Sequence, residues 1–317
     1  LGVFQMKVLI TGIAGFIGFH LAQAMKDSGW HVTGIDNYNN FLYNSNIKYK
    51  RAEILKNLSI NVIAADIRNK NHLKRVFSKD DFDLVIHLAA HAGVRHSLDH
   101  ASAYIKTNIV GTQNVIEECK SRNINKVIYA STSCTMAGND LPWKEDEPTH
   151  HPLNPYGYTK RTNESQFITS GLSTIGLRFF TVYGPWGRPD MALWQFAKSI
   201  LNNTPIDLYN AGDMKRDFTY VADIVEGILI ITNRIINNDV NEIYNIGYGE
   251  QVQLTDFVRE IEYNLSKKAI VNLVDKHPAD TQSTWADNTK IRSLGWVPST
   301  SVEDGVKQFI NWFKEYE

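Results

Sequence analysis

Met6-Lys-Val-Leu-Ile-Thr-Gly12-Ile-Ala-Gly15-Phe-Ile-Gly18, continued by His31-Val-Thr-Gly-Ile-Asp36, is the stretch that decides the fold. Lys7–Thr11 is a short apolar run ending at a glycine. Ile17, Leu21, Ala24 and Met25 then fall at helical spacing, and a second apolar run ends on an acid. The order strand, glycine turn, helix, strand, acid predicts a βαβ unit that binds a dinucleotide. Gly12 permits the tight turn, Gly15 lets the backbone approach a pyrophosphate, and Gly18 lets the helix pack close to the sheet. Phe16 and Ile17 lie in the same turn, where unpaired N–H groups and the positive helix end meet the phosphates. Asp36, 18 residues beyond Gly18, is placed to accept both hydroxyls of the adenosine ribose, with Asn37 beside it. A carboxylate there repels a 2′-phosphate, so NAD is expected rather than NADP.

Outward from this unit the alternation continues. A polar Asn/Tyr-rich loop (Asn37–Asn46) precedes a helix at Ile47–Leu58. Strands are expected at Ile60–Ala65, Phe82–Leu88, Lys126–Ala130 and Thr174–Phe180. Helices are expected at Leu73–Phe77, at Ala101–Lys120 as one long helix, and from Tyr156 onward. This predicts an α/β protein with a Rossmann-type doubly wound parallel sheet. Ligands bind beyond the carboxyl ends of such strands. Asp66 and Ile67 would flank the adenine ring, the small residues after Leu88 (Ala89, Ala90) would admit the cofactor, and Asn108 joins this set. Thr181–Asp190 reads as a Gly/Pro-rich loop, and beyond it the alternation weakens. Helices at Leu193–Leu201 and Leu254–Leu265, a turn and helix at Asp217–Arg234, and strands at Ile206–Leu208, Ile243–Ile246 and Ile270–Val274 are expected there. In the final helix, Val302–Phe313, packing accounts for Phe309, Trp312 and Phe313. Residues 1–180 and 218–248 are expected to form the NAD-binding domain. Residues 181–217 and 249–317 would form a smaller, mostly C-terminal substrate-binding α/β lobe.

Composition narrows the function classes. The 317 residues are 43% hydrophobic and 21% charged, with 33 Lys+Arg against 34 Asp+Glu. A balanced charge gives no basic surplus for nucleic acid or an anionic membrane. Cys119 and Cys134 form neither a disulfide framework nor a metal spacing. No apolar run approaches a membrane span. Without a charged leader or cleavage site the cytoplasm is expected, and Leu1–Gln5 read as residues preceding a natural start at Met6. His87, His91 and His96 straddle a strand end and a loop; they read as supporting or solvated residues, with no metal expected.

The chemistry lies in Tyr156-Gly-Tyr-Thr-Lys160, which puts a phenol and an ammonium on one helix face at i and i+4. A tyrosine is a poor base at neutral pH unless a nearby cation lowers its pKa. Lys160 is such a cation, and it can also bond a nicotinamide ribose. A hydroxyl at the end of the fifth strand, 24 residues upstream, would bond the reacting oxygen; Thr132 is the candidate. Tyr158, only two residues from Lys160, lies on a different face.

These motifs resemble the extended short-chain dehydrogenase/reductases, which combine TGxxGFIG with Ser/Thr…YxxxK. Within that group the chain looks most like the UDP-glucuronate 4-epimerases. Gly176–Ala192 (GLRFFTVYGPWGRPDMA) carries most of the likeness, supported by Ala92-Gly-Val-Arg95 and Met214-Lys-Arg-Asp-Phe-Thr-Tyr220. The resemblance implies an enzyme that oxidises C4 of a UDP-sugar with tightly held NAD, lets the 4-keto sugar turn over, and returns the hydride to the other face. Tyr156 would take and return the O4 proton, Thr132 would bond O4, and Lys160 would tune Tyr156. Thr181, Arg188 and Met191 match positions around the substrate carboxylate; a guanidinium can hold one as a bidentate pair. Arg216 matches a diphosphate contact, Asp280 a uridine-ribose contact, and Arg95 a further substrate position. The resemblance also implies a homodimer through Ala101–Lys120 and Tyr156–Ser170.

The strand-five motif departs from the pattern. Ser131-Thr-Ser-Cys-Thr-Met-Ala-Gly138 is one residue longer than the family's S-S-S-V-Y-G and lacks its tyrosine. Aligned from the strand, Thr132 is the catalytic hydroxyl; aligned from Gly138, it is Ser133. Cys134 replaces the acid of related dehydratases and decarboxylases, which argues against elimination or assisted decarboxylation. It matches a catalytic cysteine of 3,5-epimerases, or it is a small buried filler. Another nucleotide sugar therefore stays open as substrate. A non-catalytic NAD-binding regulator has no need of Thr132, Tyr156 and Lys160 together.

Overall fold

The computed structural model describes residues 5–149 and 152–317; Leu1–Phe4 of the leading segment lie outside the described residues. Seven strands form the central sheet: β1 (Lys7–Thr11), β2 (His31–Asp36), β3 (Asn61–Ala64), β4 (Leu84–His87), β5 (Lys126–Thr132), β6 (Ser173–Phe179) and β7 (Asn241–Ile246). Their order is β7-β6-β5-β4-β1-β2-β3, and every pairing is parallel. Seven helices are named here: α1 (Phe16–Asp27), α2 (Asn46–Asn57), α3 (Lys70–Phe77), α4 (Pro155–Ile168), α5 (Val221–Asn237), α6 (Leu254–Leu265) and α7 (Val302–Tyr316).

Strand residues alternate between two cores because successive side chains point to opposite faces. Val8 and Ile10 pack with α1 and α5 through Leu21, Met25, Ile224 and Ile228. Leu9 and Tyr129 pack on the other face with Leu73, Phe77 and Phe167. A sheet covered on both faces needs near-continuous apolar strands, and all seven residues of β6 are buried. A third core gathers Trp194, Phe218, Phe257, Phe309 and Phe313 beneath α6 and α7.

Asp217 joins these bodies. Its fully buried carboxylate accepts from the N–H groups of Tyr248 (2.8 Å), Gly249 (3.0 Å) and Ala286 (3.1 Å) and from the Thr219 hydroxyl (3.2 Å). Burial pushes this acid up to about 6 against those bonds.

Two expectations need correction. Ala101–Lys120 is not one regular helix: Ala101–Tyr104 and Thr112–Ser121 are α-helical, but Ile105–Gly111 is π-helical. An apolar pattern does not register such a widening. Within it Asn108 turns inward, 0% exposed, and its amide bonds the His91 backbone and Thr159. The Gly/Pro-rich loop also begins as a strand. Thr181–Tyr183 leaves the main sheet and pairs in parallel with Phe218–Tyr220, where only a turn was expected. Among the described residues, no helix is long and apolar enough to cross a membrane.

Gly305 of α7 tests the joint between that helix and the 181–183 strand. A Cβ there would lie 2.2 Å from the Tyr183 hydroxyl oxygen. The gain in helix propensity from Gly305→Ala is at most ~1 kcal/mol, whereas overpacking costs ~1–3 kcal/mol. The variant is expected to melt several degrees lower in thermal unfolding; an unchanged or raised Tm contradicts this packing.

Candidate active site

The order in which the chain adds strands reverses between β1 and β4, which opens a crevice at their carboxyl ends. Gly12 closes the first side with φ +76°. A Cβ on it would meet the Ala89 backbone nitrogen at 2.9 Å, and one on Gly18 would meet the Gly12 carbonyl at 2.3 Å. Helix α1 starts at Phe16 with Gly15 as its N-cap and no acid in its first turn. Its free N–H groups therefore favour an anion.

A cleft of about 250 Å³ follows from this. Gly12, Gly15, Phe16, Ile17, Gly18, Asp36, Asn37, Ile67, Leu88, Ala89, Ala90, Tyr156 and Lys160 all line it. Two residues read as cofactor ligands do not. Asn108 faces inward, as described. The Asp66 carboxylate is taken by Arg68 (2.6 Å) and Asn37 (3.0 Å); burial would raise it, but these partners hold it at about 2. Asp36 accepts from the Tyr38 N–H at 2.8 Å, and its burial raises its pKa against Lys48. Sequence reasoning missed Thr107 and Lys48, which line the same cleft. The Thr107 hydroxyl is buried without a hydrogen-bond partner in the structure. Only its place beside Asn108 pointed to it.

The reactive groups meet at the far end. Asn154 caps α4 by accepting from the Gly157 N–H at 2.8 Å, which fixes Tyr156 in the first turn. Thr132 is the last residue of β5; its hydroxyl accepts from the Cys134 N–H at 3.3 Å and lies close enough to the Tyr156 phenol and the Cys134 thiol to favour their ionised forms. Ser133 is buried in the following 3-10 turn. Lys160 donates to the Ala130 carbonyl at 3.0 Å. Burial pushes the Tyr156 phenol up to about 12, assisted by Cys134 and opposed by the nearby Thr132 hydroxyl and the Arg188 charge. Burial pushes the Lys160 ammonium down to about 8 against the pull of Glu164. Tyr158 is half-buried and outside the cleft lining.

The substrate candidates fall into two groups. Arg188 and Met191 line the cleft, and with Thr181 they line a small apolar pocket beside it. Arg188 is already paired with Asp190 in bidentate fashion. Arg95, Arg216, Asp280 and Cys134 form a second patch. Arg95 binds Asp280 at 2.6 Å and lies 3.6 Å over the Tyr209 ring. Arg216 feels both Asp280 and Cys134. This patch lies outside the cleft lining.

Behind Lys160, one turn on, Glu164 accepts from Arg178 through both oxygens (2.9 and 3.0 Å) and from Ser131 at 2.6 Å. This buried pair locks α4 to β5 and β6. His87 bridges Thr11 (2.7 Å) and Thr112 (2.9 Å) in the interior, where burial drops it to about 3. It is a core residue, not a solvated one. His91 lines the cleft and stacks on Phe41 at 4.2 Å; His96 meets the same ring edge-on. Among the described residues no group of His, Cys, Asp and Glu could hold a metal.

Comparison with known proteins agrees with this geometry. Residues 8–247 match the family described as the NAD dependent epimerase/dehydratase family. A UDP-glucuronate 4-epimerase of Thermodesulfobacterium geofontis is 38% identical, over 97% of this chain and 96% of that protein. The crystal structure of the UDP-glucuronic acid 4-epimerase from Bacillus cereus, in complex with UDP-glucuronic acid and NAD, superposes with a TM-score of 0.92. It is 35% identical and covers 98% of this chain and all of that one (100%). A UDP-glucose 4-epimerase from Thermotoga maritima, solved with UDP-glucose, gives a TM-score of 0.86 at 27% identity, covering 98% and 99%.

The Glu164–Arg178 pair yields a stability test. Glu164→Gln leaves a buried guanidinium uncompensated, which costs ~3–5 kcal/mol. Replacing both members, Glu164→Gln with Arg178→Met, is expected to recover most of that loss. Denaturant unfolding of the two variants checks this, and a double variant no more stable than the single one contradicts it.

Proposed function

The chain belongs to the NAD dependent epimerase/dehydratase family, and on that footing we propose that it interconverts UDP-glucuronate and UDP-galacturonate. The observation that carries the reading is that Tyr156 and Lys160 line the same cleft as the glycine turn and Asp36, with Thr132 beside the Tyr156 phenol. The open turn at Gly12–Gly18 and the unpartnered Thr107 hydroxyl suit NAD. Bound there, NAD would accept a hydride from C4 of the sugar and return it, by way of a transient 4-keto sugar.

Each protein group then has one task. Thr132 holds the sugar O4 against Tyr156. Tyr156 takes the O4 proton and later gives it back. Lys160, hydrogen-bonded to the Ala130 carbonyl, supplies a fixed positive charge and a ribose contact. Arg188 takes the C6 carboxylate in competition with Asp190, and Thr181 leaves room for it. Arg95, Arg216 and Asp280 receive the UDP moiety. The absence of an acid at Cys134 favours return of the hydride over loss of carbon dioxide. Residues 1–180 and 218–248 would serve NAD, and 181–217 with 249–317 the nucleotide sugar. Exposed Ile105, Val110 and Ile168 on the helical run 101–121 and on α4 suit a homodimer built through those helices.

Proton NMR of the purified protein with UDP-glucuronic acid and no added NAD tests the reading. UDP-galacturonic acid is the expected product. A pentose product, or no conversion even with NAD supplied, overturns it. Tyr156→Phe is expected to lower turnover ~10²–10⁴-fold, the range for a general acid–base group, with NAD still bound. Arg188→Ala is expected to hurt the glucuronate far more than a neutral UDP-hexose; equal losses remove the carboxylate role. The rate is also expected to fall on the alkaline side through about pH 8 as Lys160 loses its proton. A rate flat to pH 10 contradicts a required ammonium.

A further inference from the structure

Three consecutive carbonyls of the loop after the 181–183 strand are gripped by side chains of the dinucleotide-binding body. Nε2–H of His20, on α1, donates to Pro185 at 2.9 Å. Arg51, on α2, donates to Trp186 at 2.6 Å and to Gly187 at 3.0 Å. Its other terminal nitrogen donates to the Ala14 carbonyl, inside the glycine turn, at 3.0 Å. Tyr43 of the polar loop lies near enough to favour the charged form of the guanidinium. Arg51 is 0% exposed. Among the described residues its acceptors are these neutral groups, and its Nε has none.

We propose that Arg51 is a positioning residue that latches the cofactor cleft, tying the glycine turn to the loop that leads into Arg188 and so slowing release of NAD. The inference rests on the glycine turn holding the dinucleotide, and it is independent of which sugar is turned over.

The loop closes the cleft from the opposite side. Arg188 follows Gly187 directly, and Phe16, Asp36 and Arg188 line the same cleft. Trp186 takes φ +56°, a left-handed conformation. Its ring packs between Phe19 of α1 (5.5 Å) and Trp312 of α7 (5.3 Å). Gly187 admits no side chain, since a Cβ would lie 2.8 Å from the Gly184 carbonyl. Opening the cleft by moving this loop away must strip a buried guanidinium of two of its acceptors at once. A guanidinium spreads its donors in a rigid fork, so one residue can hold the turn and the loop together; a lysine cannot. Burial lowers His20 to about 4, so its grip does not depend on charge at neutral pH. Arg51 carries the charge-assisted part.

The test is the release rate of bound NADH, followed by its fluorescence after a chase with excess NAD. Arg51→Met removes every donor at similar length and is expected to release NADH about tenfold faster or more, the equivalent of one charge-assisted hydrogen bond. Arg51→Lys is expected to fall between Met and wild type. Phe77→Leu, a core change on the far face of the sheet, is chosen as the control for general loss of stability. It is expected to release NADH within about twofold of wild type. If Arg51→Met does not fold, Arg51→Lys decides alone. Release unchanged in the Arg51 variants, or equally accelerated in Phe77→Leu, overturns the latch. None of these outcomes bears on whether UDP-glucuronate is the substrate, which the NMR experiment decides separately.

Discussion

The contact between the ends of β1 and β4 sets the terms for the rest of the molecule. Gly12 sits so close to Ala89 that a side chain on it would strike backbone at 2.9 Å. That closeness lets both strands deliver their next residues to one crevice. It fixes where α1 begins, and hence where its unpaired N–H groups point. It also fixes the height of β5, which pairs with β4, and through β5 the position of Thr132. The Thr132 hydroxyl is thus placed by backbone hydrogen bonds two strands away from the glycine turn.

Helix α4 must then be held to that strand end, and a buried charge network does this. Lys160 bonds the Ala130 carbonyl while Glu164 bonds the Ser131 hydroxyl, so one turn of helix is matched to two successive strand residues. Arg178 extends the match to β6. Buried ion pairs add little net stability over apolar packing. Their use here is directional: a leucine in place of Glu164 would pack, but it would not set the register of α4 against β5. Asp217 does similar work between the two bodies with backbone N–H groups in place of a cation.

Sequence reading succeeded where a function needs a specific local geometry. The glycine turn is legible because no other residue satisfies its close contacts. Tyr156 and Lys160 are legible because helical spacing alone puts them on one face. What was missed depends on who neighbours whom across the chain. Nothing local pairs Glu164 with Arg178, because their meeting requires β5 and β6 to be adjacent. Arg51 reads as an ordinary helix arginine until the fold brings residues 14, 186 and 187 to it. The π-helical stretch was invisible because its apolar pattern is that of an α-helix. The sequence left open whether the histidine at 87 is a supporting or a solvated residue for a related reason: its partners, Thr11 and Thr112, come from two different elements.

The electrostatics of the reactive end impose a further condition. Burial holds the Tyr156 phenol protonated, near 12, and loosens the proton of the Lys160 ammonium, near 8. One unit positive charge about 4 Å from the phenol, at the effective dielectric of a protein site, is worth ~4 kcal/mol. Arg188 supplies only part of this, because Asp190 neutralises it. With Arg188 paired, the protein's own charges leave Tyr156 protonated. On the proposed reading, a cationic nicotinamide ring in the cleft would supply the further charge. The burial that keeps Tyr156 protonated in the free protein would then make its proton transfer depend on the oxidised cofactor.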